Sequence, residues 1–579
     1  MRIEPYPFDD DGCHELSEHP MGLNWPVVYI LHSDGEVYVG ETGSAANRMR
    51  NHLDNPDRRG LTWVKVVFDG TYNKSVVLDF EQTLIRLFSA DRKFAVQNRN
   101  AGQSYRHEYF GREEYRKALP SLWNELRSAY RMANLDYESL VGSDLFRYSP
   151  YTALTEEQRG VSRRVVMHMV ESLASGVPGA SVVNGTAGTG KTLLAMSLLL
   201  TLAEASRPVS AGDEVERAEY VGEDCDVRSL SDYVGEHGPL RIGLVFPMES
   251  LRNTIAKVLD GACGCLADVS ILPPHRVASE EFSDGFDVLI VDEGHRLKKR
   301  RNLSYYAEFD GACEKLGLDK GTANQMDWIV ARSRYQVVFY DEHQHVSGMD
   351  VTDREFRRSL EGVDVEDHRL TSQMRCLAGD GYERYVRDVL DCSRERREVF
   401  DEALFKFRVF DDVEEMVQTV RGLDSDACVA RTVAGFAWPW KKDGEPSHFE
   451  IDGHDYVWNT TRSGWVLSRN ARNEIGCVYS TQGYDLGYVG VIFGPEIDYD
   501  PVANRLVVDP DRVKDTKIKS GFTKEERRNG VMLETVRSRT LNAYYVLMTR
   551  GVRGCFVYAC NEGLRDYMKR FIGPPAQPD

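Results

Sequence analysis

The chain has 579 residues, of which 42% are hydrophobic, and at roughly 150 residues per domain it is long enough for three or four domains, of which the motifs indicate three. No stretch approaches the roughly 18 uninterrupted apolar residues of a membrane span, and the acidic first residues are unlike a secretory signal, so we expect a cytoplasmic protein. The net charge of −19 does not exclude nucleic-acid binding, because nine acidic residues are concentrated between Asp213 and Glu236, which we interpret as a solvated insertion.

The first patterned segment lies near the N-terminus. Residues 27–40 contain two apolar runs around a Ser-Asp-Gly turn and predict a β-hairpin. Arg48 and His52 follow at a spacing of four residues, which places both on one face of a predicted helix. Glu81 is an early acid in a later segment with helical periodicity, and Asn98 follows in a polar loop. Taken singly, each residue also fits an ordinary role in packing or on the surface.

Together and in this order, these residues resemble the GIY-YIG nuclease family over residues 24–105. Val27-Val28-Tyr29 stands where the family has Gly-Ile-Tyr, and Tyr38-Val39-Gly40 stands where it has Tyr-Ile-Gly. The departure, Val27 for glycine, changes a strand residue rather than a chemical group. The resemblance implies a small α/β domain that hydrolyses phosphodiesters with one divalent ion, Mg²⁺ or Mn²⁺.

The resemblance also implies a role for each functional residue. Glu81 would hold the metal ion, and Arg48 would stabilise the charge of the transition state. Tyr29 would act as the general base. Tyr38 and His52 would orient or share its proton, and Asn98 would be a structural hydrogen-bonding residue near the metal.

A nucleotide-binding region follows a charged, helix-favouring connector. Residues 149–158 resemble an adenine-reading Q-motif in which Gln158 contacts the base edge. Residues 181–200 then indicate a buried strand, a glycine loop and an apolar helix, which is the context of a phosphate loop. Lys191 would neutralise the β- and γ-phosphates of ATP, and Thr192 would hold Mg²⁺. The loop glycines, whose neighbouring backbone N–H groups would cradle the phosphates, are Gly185, Gly188 and Gly190.

Two later apolar runs each end in Asp-Glu, so the acid that binds Mg²⁺ must be chosen between them. In the first run, Asp292 would coordinate Mg²⁺ and Glu293 would polarise the attacking water. In the second run, Gln344 resembles the γ-phosphate sensor of superfamily 1 helicases. The order of the two runs favours the first as the magnesium site, while Asp341 and Glu342 could be ordinary acids at the end of a strand.

Three segments beyond residue 365 resemble motifs of a second helicase lobe. In the first, residues 370–375, Arg375 would reach the nucleotide from across the cleft. In the second, Thr481 and Gln482 would touch the nucleic-acid backbone or ATP. In the third, residues 543–554, we predict a strand-to-helix step that directs Arg550 at the γ-phosphate as an arginine finger, with Arg553 as a weaker candidate.

Over roughly residues 150–575 these motifs resemble the bacterial branch of the Schlafen-type helicase family. The resemblance implies an α/β fold with two RecA-like lobes built on parallel sheets. The basic run at residues 298–301 could contact phosphate or be an exposed surface segment. Four tryptophans could stack on bases or fill the core, namely Trp438, Trp440, Trp458 and Trp465. The predicted segments are an acidic tail (1–23), the GIY-YIG nuclease domain (24–105), a helical connector (106–148), a first lobe (149–364, with an acidic insertion over about 205–240) and a second lobe (365–579).

The predicted partners are ATP and DNA or RNA, and oligomerisation or a partner protein stays open. Three functions remain: a translocase that delivers a strand to the nuclease, an ATP-gated nuclease whose lobes only switch conformation, and a binding module with an inert nuclease. The presence of Tyr29, Arg48 and Glu81 argues against the third. The fusion of a nuclease with a helicase-like motor also resembles bacterial defence systems that act on foreign nucleic acid.

Overall fold

The computed structural model describes residues 1–98, 109–186, 188–206, 225–260, 266, 268–303, 305–373, 376–379, 381–425, 428–440, 447–461, 464–481, 484–520 and 522–573. The strands are β1 Arg2–Pro7, β2 Val27–His32, β3 Glu36–Thr42, β4 Trp63–Phe68, β5 Ala95–Val96, β6 Gly179–Gly185, β7 Ile242–Val245, β8 Ser270–Leu272, β9 Phe286–Val291, β10 Ser333–Tyr340, β11 Asp364–Leu370, β12 Lys406–Val409, β13 Ala430–Ala434, β14 His448–Ile451, β15 His454–Val457, β16 Leu486–Phe493, β17 Ile497–Asp500, β18 Arg505–Val508 and β19 Gly551–Ala559. The helices are α1 Asp10–Glu18, α2 Ala45–Leu53, α3 Lys74–Asp91, α4 Arg112–Arg116, α5 Leu119–Ser128, α6 Tyr137–Val141, α7 Asp144–Arg147, α8 Glu156–Ser175, α9 Lys191–Ala205, α10 Cys225–His237, α11 Glu249–Asp260, α12 Tyr306–Leu316, α13 Gln325–Ala331, α14 Asp353–Ser359, α15 Tyr382–Leu390, α16 Val413–Leu423, α17 Val478–Thr481, α18 Lys524–Arg528, α19 Val531–Met548 and α20 Glu562–Phe571.

The N-terminal sheet has the strand order β1-β4-β2-β3-β5. Strands β2 and β3 pair antiparallel, with Val27 opposite Thr42 and Leu31 opposite Tyr38, as the predicted hairpin requires. Strand β1 pairs antiparallel with β4, with Arg2 opposite Phe68. Residues 2–7 therefore form an edge strand of this sheet, and α1 follows it, within the segment for which the sequence predicts an acidic tail.

The first lobe is built on a six-stranded parallel sheet with the order β11-β6-β10-β9-β7-β8. Strand β11 pairs with β6, with Asp364 opposite Gly179 and Leu370 opposite Gly185. The lobe therefore extends to at least Leu370, beyond the predicted boundary at residue 364. The sequence carries little signal for β11, because it is a mostly polar edge strand in which only His368 and Leu370 are buried.

The second lobe contains a parallel sheet with the order β12-β19-β16-β13, accompanied by two antiparallel pairs, β14-β15 and β17-β18. The step around Arg550 runs from helix to strand, opposite to the prediction, because α19 ends at Met548 and β19 begins at Gly551. A helix buried on most sides gives a continuous apolar run, which periodicity alone cannot distinguish from a strand. The two parallel sheets with their helices confirm the predicted α/β fold class of RecA-like lobes.

One continuous hydrophobic core joins the N-terminal sheet, the connector helices and the first lobe. Trp123 of α5 packs edge-on against Phe88 of α3, with 4.9 Å between the ring centroids. The buried Tyr151 hydroxyl donates to the main-chain carbonyl of Asn98 at 3.1 Å. The connector is therefore a packed layer between its neighbours. Within the described residues, no helix combines the length and apolarity that crossing a membrane requires.

Candidate functional site

The phosphate loop connects β6 to α9. Gly188 and Gly190 have φ values of +85° and +76°, a left-handed conformation that glycine adopts without steric cost. Helix α9 begins at Lys191, so its free N–H groups face the loop. The Lys191 ammonium donates to the main-chain carbonyls of Gly185 and Thr186 at 2.6 and 2.8 Å. The loop therefore has the glycine conformation and the cation that phosphate binding requires.

Thr192 meets the first Asp-Glu pair. Its hydroxyl donates to Oδ2 of Asp292 at 2.7 Å, although β10 lies between β6 and β9 in the sheet. Asp292 is completely buried, and burial together with repulsion from Glu293 raises its pKa to about 7. A buried carboxylate beside a hydroxyl at a helix N-terminus is a set of hard oxygen ligands, which fits Mg²⁺. The structure thus brings together the two residues predicted to hold the ion.

Glu293 has an unusual conformation at the end of β9. Its φ is +53°, in the left-handed region. Its Oε2 lies 2.9 Å from Nε2 of the fully buried His295. Burial opposes ionisation of Glu293, but attraction to His295 and Lys191 outweighs it and holds the pKa of this carboxyl below its usual value. A carboxylate kept ionised next to the phosphate loop has the chemistry needed to accept a hydrogen bond from water.

The second Asp-Glu pair reaches the same loop from β10. Asp341 lies 3.7 Å from the Lys191 ammonium and accepts a 2.6 Å hydrogen bond from Nε2 of Gln344. Both residues are buried, whereas Glu342 is exposed. Asp341 is therefore more than an acid that ends a strand, because it links the predicted sensor Gln344 to the phosphate-loop lysine.

Gln158 contacts the phosphate loop rather than a position open to a base. Its Nε2 donates to the carbonyl of Thr189 at 3.0 Å, and its Oε1 accepts from the N–H of Thr155 in a capping box at the start of α8. In this structure Gln158 therefore braces the loop, where the sequence predicted a contact with adenine.

Residues that follow β11 bring the second lobe to the phosphate loop. The side chain of Gln373 lies against Gly188, where a Cβ would be 2.1 Å from its Oε1. Its Nε2 donates to Glu383 of α15 at 2.9 Å. The sequence predicted a helicase motif over residues 370–375 but gave Gln373 no role, because only tertiary packing brings it to Gly188. The predicted residues Arg375 and Gln482 lie outside the described residues.

Arg550 is buried between α19 and β19. Its Nε donates to the carbonyl of Val546 at 3.2 Å. Helix α19 contacts the first lobe, because Nδ2 of Asn542 donates to the main-chain carbonyl of His345 at 3.1 Å. Thr481 is buried and donates to the carbonyl of Cys477 at 3.0 Å, a contact within its own lobe.

Most of the predicted nucleic-acid contacts in the lobes have structural roles. Each cation of residues 298–301 pairs with a carboxylate: Lys298 with Asp350, Lys299 with Glu355 at 2.8 Å, Arg300 with Asp310 at 2.5 Å and Arg301 with Glu526 at 3.7 Å. Trp458 and Trp465 are buried, and Trp438 stacks on Phe449 at 4.7 Å. Trp440, which is 38% exposed, remains available for base stacking.

The N-terminal domain brings its predicted residues together around Tyr29. The Tyr29 hydroxyl lies 2.7 Å from Nε2 of His52 and accepts a hydrogen bond from Nε of Arg48 at 3.3 Å. Burial and the nearby Arg48 and Arg58 lower the pKa of His52 to about 2, so its ring is neutral. Burial raises the pKa of Tyr29 well above its ordinary value, so the phenol keeps its proton. Tyr38 borders this group, with 5.3 Å between its ring and that of His52.

Glu81 and Asn98 complete the arrangement. Glu81 is 1% exposed, and burial together with repulsion from Glu41 raises its pKa to about 8. Its Oε2 has no hydrogen-bond partner among the described residues, which fits a ligand of a divalent ion. The Asn98 amide clamps Val39 of β3, accepting from its N–H at 2.9 Å and donating to its carbonyl at 2.7 Å. Asn98 thus fixes the main chain of β3 at Val39.

Comparisons with known proteins fit this geometry. The family model described as Schlafen group 3, DNA/RNA helicase domain, matches residues 179–561. The uncharacterized protein YPL245W of Saccharomyces cerevisiae is 23% identical over 454 residues, which are 72% of this chain and 90% of that protein. Among solved structures, the arterivirus nonstructural protein 10 (helicase) is 11% identical with a TM-score of 0.27, and the match covers 69% of this chain and 64% of that one. Domain III of the Thermotoga maritima replication initiation protein DnaA is 12% identical with a TM-score of 0.19, and the match covers 43% of this chain and 76% of that one.

The family match spans well over half of the chain, from the strand before the phosphate loop to beyond Arg550. The chain therefore belongs to the Schlafen group 3 DNA/RNA helicase domain family.

Proposed function

We propose that the chain is a nucleic-acid-dependent ATPase of the helicase type that is coupled to a divalent-metal-dependent endonuclease. The observation that carries the ATPase is the 2.7 Å hydrogen bond from Thr192 to Asp292, which joins the phosphate loop to the first Asp-Glu pair. Both side chains offer oxygen ligands of the kind that Mg²⁺ prefers.

In the ATPase, each residue near the loop has a distinct task. Lys191 would exchange its carbonyl partners for the β- and γ-phosphates, and Glu293, held by His295, would orient the attacking water. Gln344 would respond to the γ-phosphate through Asp341 and Lys191. Arg550 would contribute positive charge to the transition state from the second lobe. Bound at Thr192 and Asp292, Mg²⁺ would neutralise charge on the phosphates.

In the nuclease, the hydrogen-bonded group around Tyr29 supports phosphodiester hydrolysis. Tyr29 would take the proton of the attacking water as general base, and His52, whose Nε2 lies 2.7 Å from the Tyr29 hydroxyl, would orient or share its proton. Arg48 would stabilise charge on the phosphate. A divalent ion at Glu81 would stabilise the leaving oxygen.

Two forms of coupling fit this proposal, translocation that feeds a strand to the nuclease and ATP-dependent gating without translocation. The shared core and the Tyr151–Asn98 hydrogen bond favour communication between the sites. Strand displacement from an end-labelled duplex separates the two forms, because only the translocase displaces the strand. A role in defence against foreign nucleic acid rests on the order of the domains and stays a prediction.

The central experiment measures ATP hydrolysis by the full chain alone and with single- and double-stranded DNA and RNA. We expect at least one nucleic acid to stimulate hydrolysis, and we expect Lys191→Ala to abolish it. A wild-type chain that hydrolyses no ATP with any of these nucleic acids would refute the proposed ATPase.

A further inference from the structure

We propose that Glu41 is a second carboxylate ligand of the nuclease metal, so that a Mg²⁺ or Mn²⁺ ion binds between Glu41 and Glu81. This inference rests on the proposed nuclease function and adds a residue to its site. Glu41 lies on β3 directly after Gly40, and Glu81 lies on α3, which packs against that strand. The main-chain N–H of Glu41 hydrogen-bonds to the Glu81 carboxyl, so the two side chains start from adjacent points.

The two carboxyl groups leave oxygen atoms without partners. Oε2 of Glu41 and Oε2 of Glu81 are both buried and have no hydrogen-bond partner in the described part of the chain. Buried polar atoms in native proteins are nearly always hydrogen-bonded or bound to an ion. Two such atoms on neighbouring acids are therefore oxygen ligands of the kind that a divalent cation binds.

Charge balance supports the same conclusion. Lys74, at the start of α3, pairs with Oε1 of Glu41, but its side chain is 60% exposed. The positive charge of Arg48 lowers the pKa of Glu81, and its Nε also donates a hydrogen bond to the Tyr29 hydroxyl. Lys74 thus neutralises one acid from the solvent side and leaves Oε2 of both acids buried without a partner among the described residues. A divalent ion would supply the remaining charge and would compete with Lys74 for Glu41.

The position of Glu41 also suits the reaction. A Cβ on Gly40 would lie 2.2 Å from the Tyr29 hydroxyl, so the backbone next to Glu41 touches the proposed general base. Among the described residues, no group of three or more His, Cys, Asp and Glu side chains could hold a metal. Two carboxylates suit an ion such as Mg²⁺, because this ion keeps several waters and binds through one or two carboxylates and substrate phosphate.

Mn²⁺ binding to the full chain, followed by electron paramagnetic resonance without nucleotide, tests this proposal directly. All proteins carry Asp292→Asn, which removes the carboxylate of the proposed phosphate-loop site. We expect Glu41→Gln and Glu81→Gln each to weaken Mn²⁺ binding by at least about tenfold. Glu36→Gln, which changes an exposed acid on the same strand, should bind Mn²⁺ like the parent. Circular dichroism and melting temperature establish that each variant is folded.

The outcomes distinguish this inference from the proposed nuclease. If Glu41→Gln binds Mn²⁺ like the parent while Glu81→Gln does not, Glu41 is not a ligand, yet the nuclease proposal stands. If the parent binds no Mn²⁺ and the otherwise unaltered chain cleaves neither DNA nor RNA, the nuclease proposal fails and this inference fails with it.

A double-mutant cycle provides a second measurement. Lys74→Met should tighten Mn²⁺ binding in the parent, because it removes the cation that competes for Glu41. In the Glu41→Gln background, Lys74→Met should tighten Mn²⁺ binding clearly less than it does in the parent. Equal tightening in both backgrounds would mean that Lys74 acts only through its charge, and would overturn the assignment of Glu41.

Discussion

At the scale of single residues, Glu293 combines a left-handed backbone conformation with a carboxyl group that is held in its ionised form. Its left-handed backbone costs on the order of 1–3 kcal/mol for a non-glycine residue, and such conformations persist where the surroundings fix them. Here the buried His295 lies 2.9 Å from the Glu293 carboxylate. We interpret the strained turn as the means by which the end of β9 directs this carboxylate towards the phosphate loop.

Glu293→Gln should therefore retain ATP binding but lose turnover by about 10²- to 10⁴-fold, the usual contribution of a proton acceptor. Binding is measured with a fluorescent ATP analogue and turnover by phosphate release. The matched control is Glu342→Gln, which changes the exposed acid of the second Asp-Glu pair and should hydrolyse ATP normally. Normal hydrolysis by Glu293→Gln would show that the water is oriented by another group.

Glu496 offers a pH-dependent test of stability in the second lobe. It is 2% exposed and accepts a 2.5 Å hydrogen bond from Tyr544, and burial raises its pKa to about 7. In the unfolded chain this carboxyl ionises near its ordinary pKa, so the native lobe loses stability as pH rises from about 4.5 through 7, by up to about 3 kcal/mol. Glu496→Gln removes this loss and keeps an acceptor for Tyr544.

Differential scanning calorimetry at pH 5 and pH 8 measures the effect. We expect Glu496→Gln to raise the melting temperature of the lobe much more at pH 8 than at pH 5. Glu450→Gln, an exposed acid in the same lobe, should show no such dependence on pH. The same shift at both pH values would indicate that Glu496 is not protonated in the native lobe near neutral pH.

At the scale of secondary-structure elements, the sequence predicted best where one local pattern determines both shape and chemistry. The phosphate loop is such a case, since strand, glycines, lysine and helix are contiguous. Strand β11 and helix α19 were assigned less well, because a polar edge strand and a buried helix lack a diagnostic period. Gln373 could not be assigned to the site because only tertiary packing brings it to Gly188.

The position of Arg550 between α19 and β19 leads to a test at this scale. Arg550→Ala should cut ATP turnover strongly with a modest loss of ATP binding, because an arginine finger acts mainly on the transition state, where it contributes roughly 10³-fold or more. Arg553→Ala, an exposed arginine on β19, should retain turnover. If Arg553→Ala loses turnover and Arg550→Ala does not, the finger has been misassigned between the two.

At the scale of the whole molecule, the N-terminal sheet and the first lobe are joined by packing as well as by chain connectivity. The Asn98 amide clamps β3, its carbonyl accepts from Tyr151, and Tyr151 lies just before the helix whose Gln158 braces the phosphate loop. Arg92 also pairs with Asp260 of α11 at 3.7 Å. These contacts give a physical route by which occupancy of the phosphate loop can affect β3.

Lys191→Ala should therefore lose nucleic-acid cleavage as well as ATP hydrolysis, whereas Glu81→Ala should lose cleavage and keep nucleic-acid-stimulated hydrolysis. Cleavage and phosphate release are followed in the same samples. Cleavage by Lys191→Ala at the wild-type rate would mean that the ATPase neither feeds nor gates the nuclease.

A non-hydrolysable ATP analogue then separates the two forms of coupling. If the lobes act as a gate, the analogue should support cleavage by the wild-type chain, because binding alone changes the conformation. If the lobes translocate, the analogue should not support cleavage, because movement requires turnover.

The common core also limits how a chain of this kind can be taken apart or recombined. A domain that can be transferred to another protein needs a boundary that few apolar contacts cross. Cutting the chain at residue 105 would remove Trp123 from Phe88 and Tyr151 from Asn98, and would expose the apolar side of α3 to water. The excised fragment 1–105 should therefore aggregate on expression, whereas a fragment that extends past Tyr151, to about residue 155, keeps both of these contacts. Exchange of one N-terminal domain for another during evolution would have to carry the connector helices as part of the inherited unit.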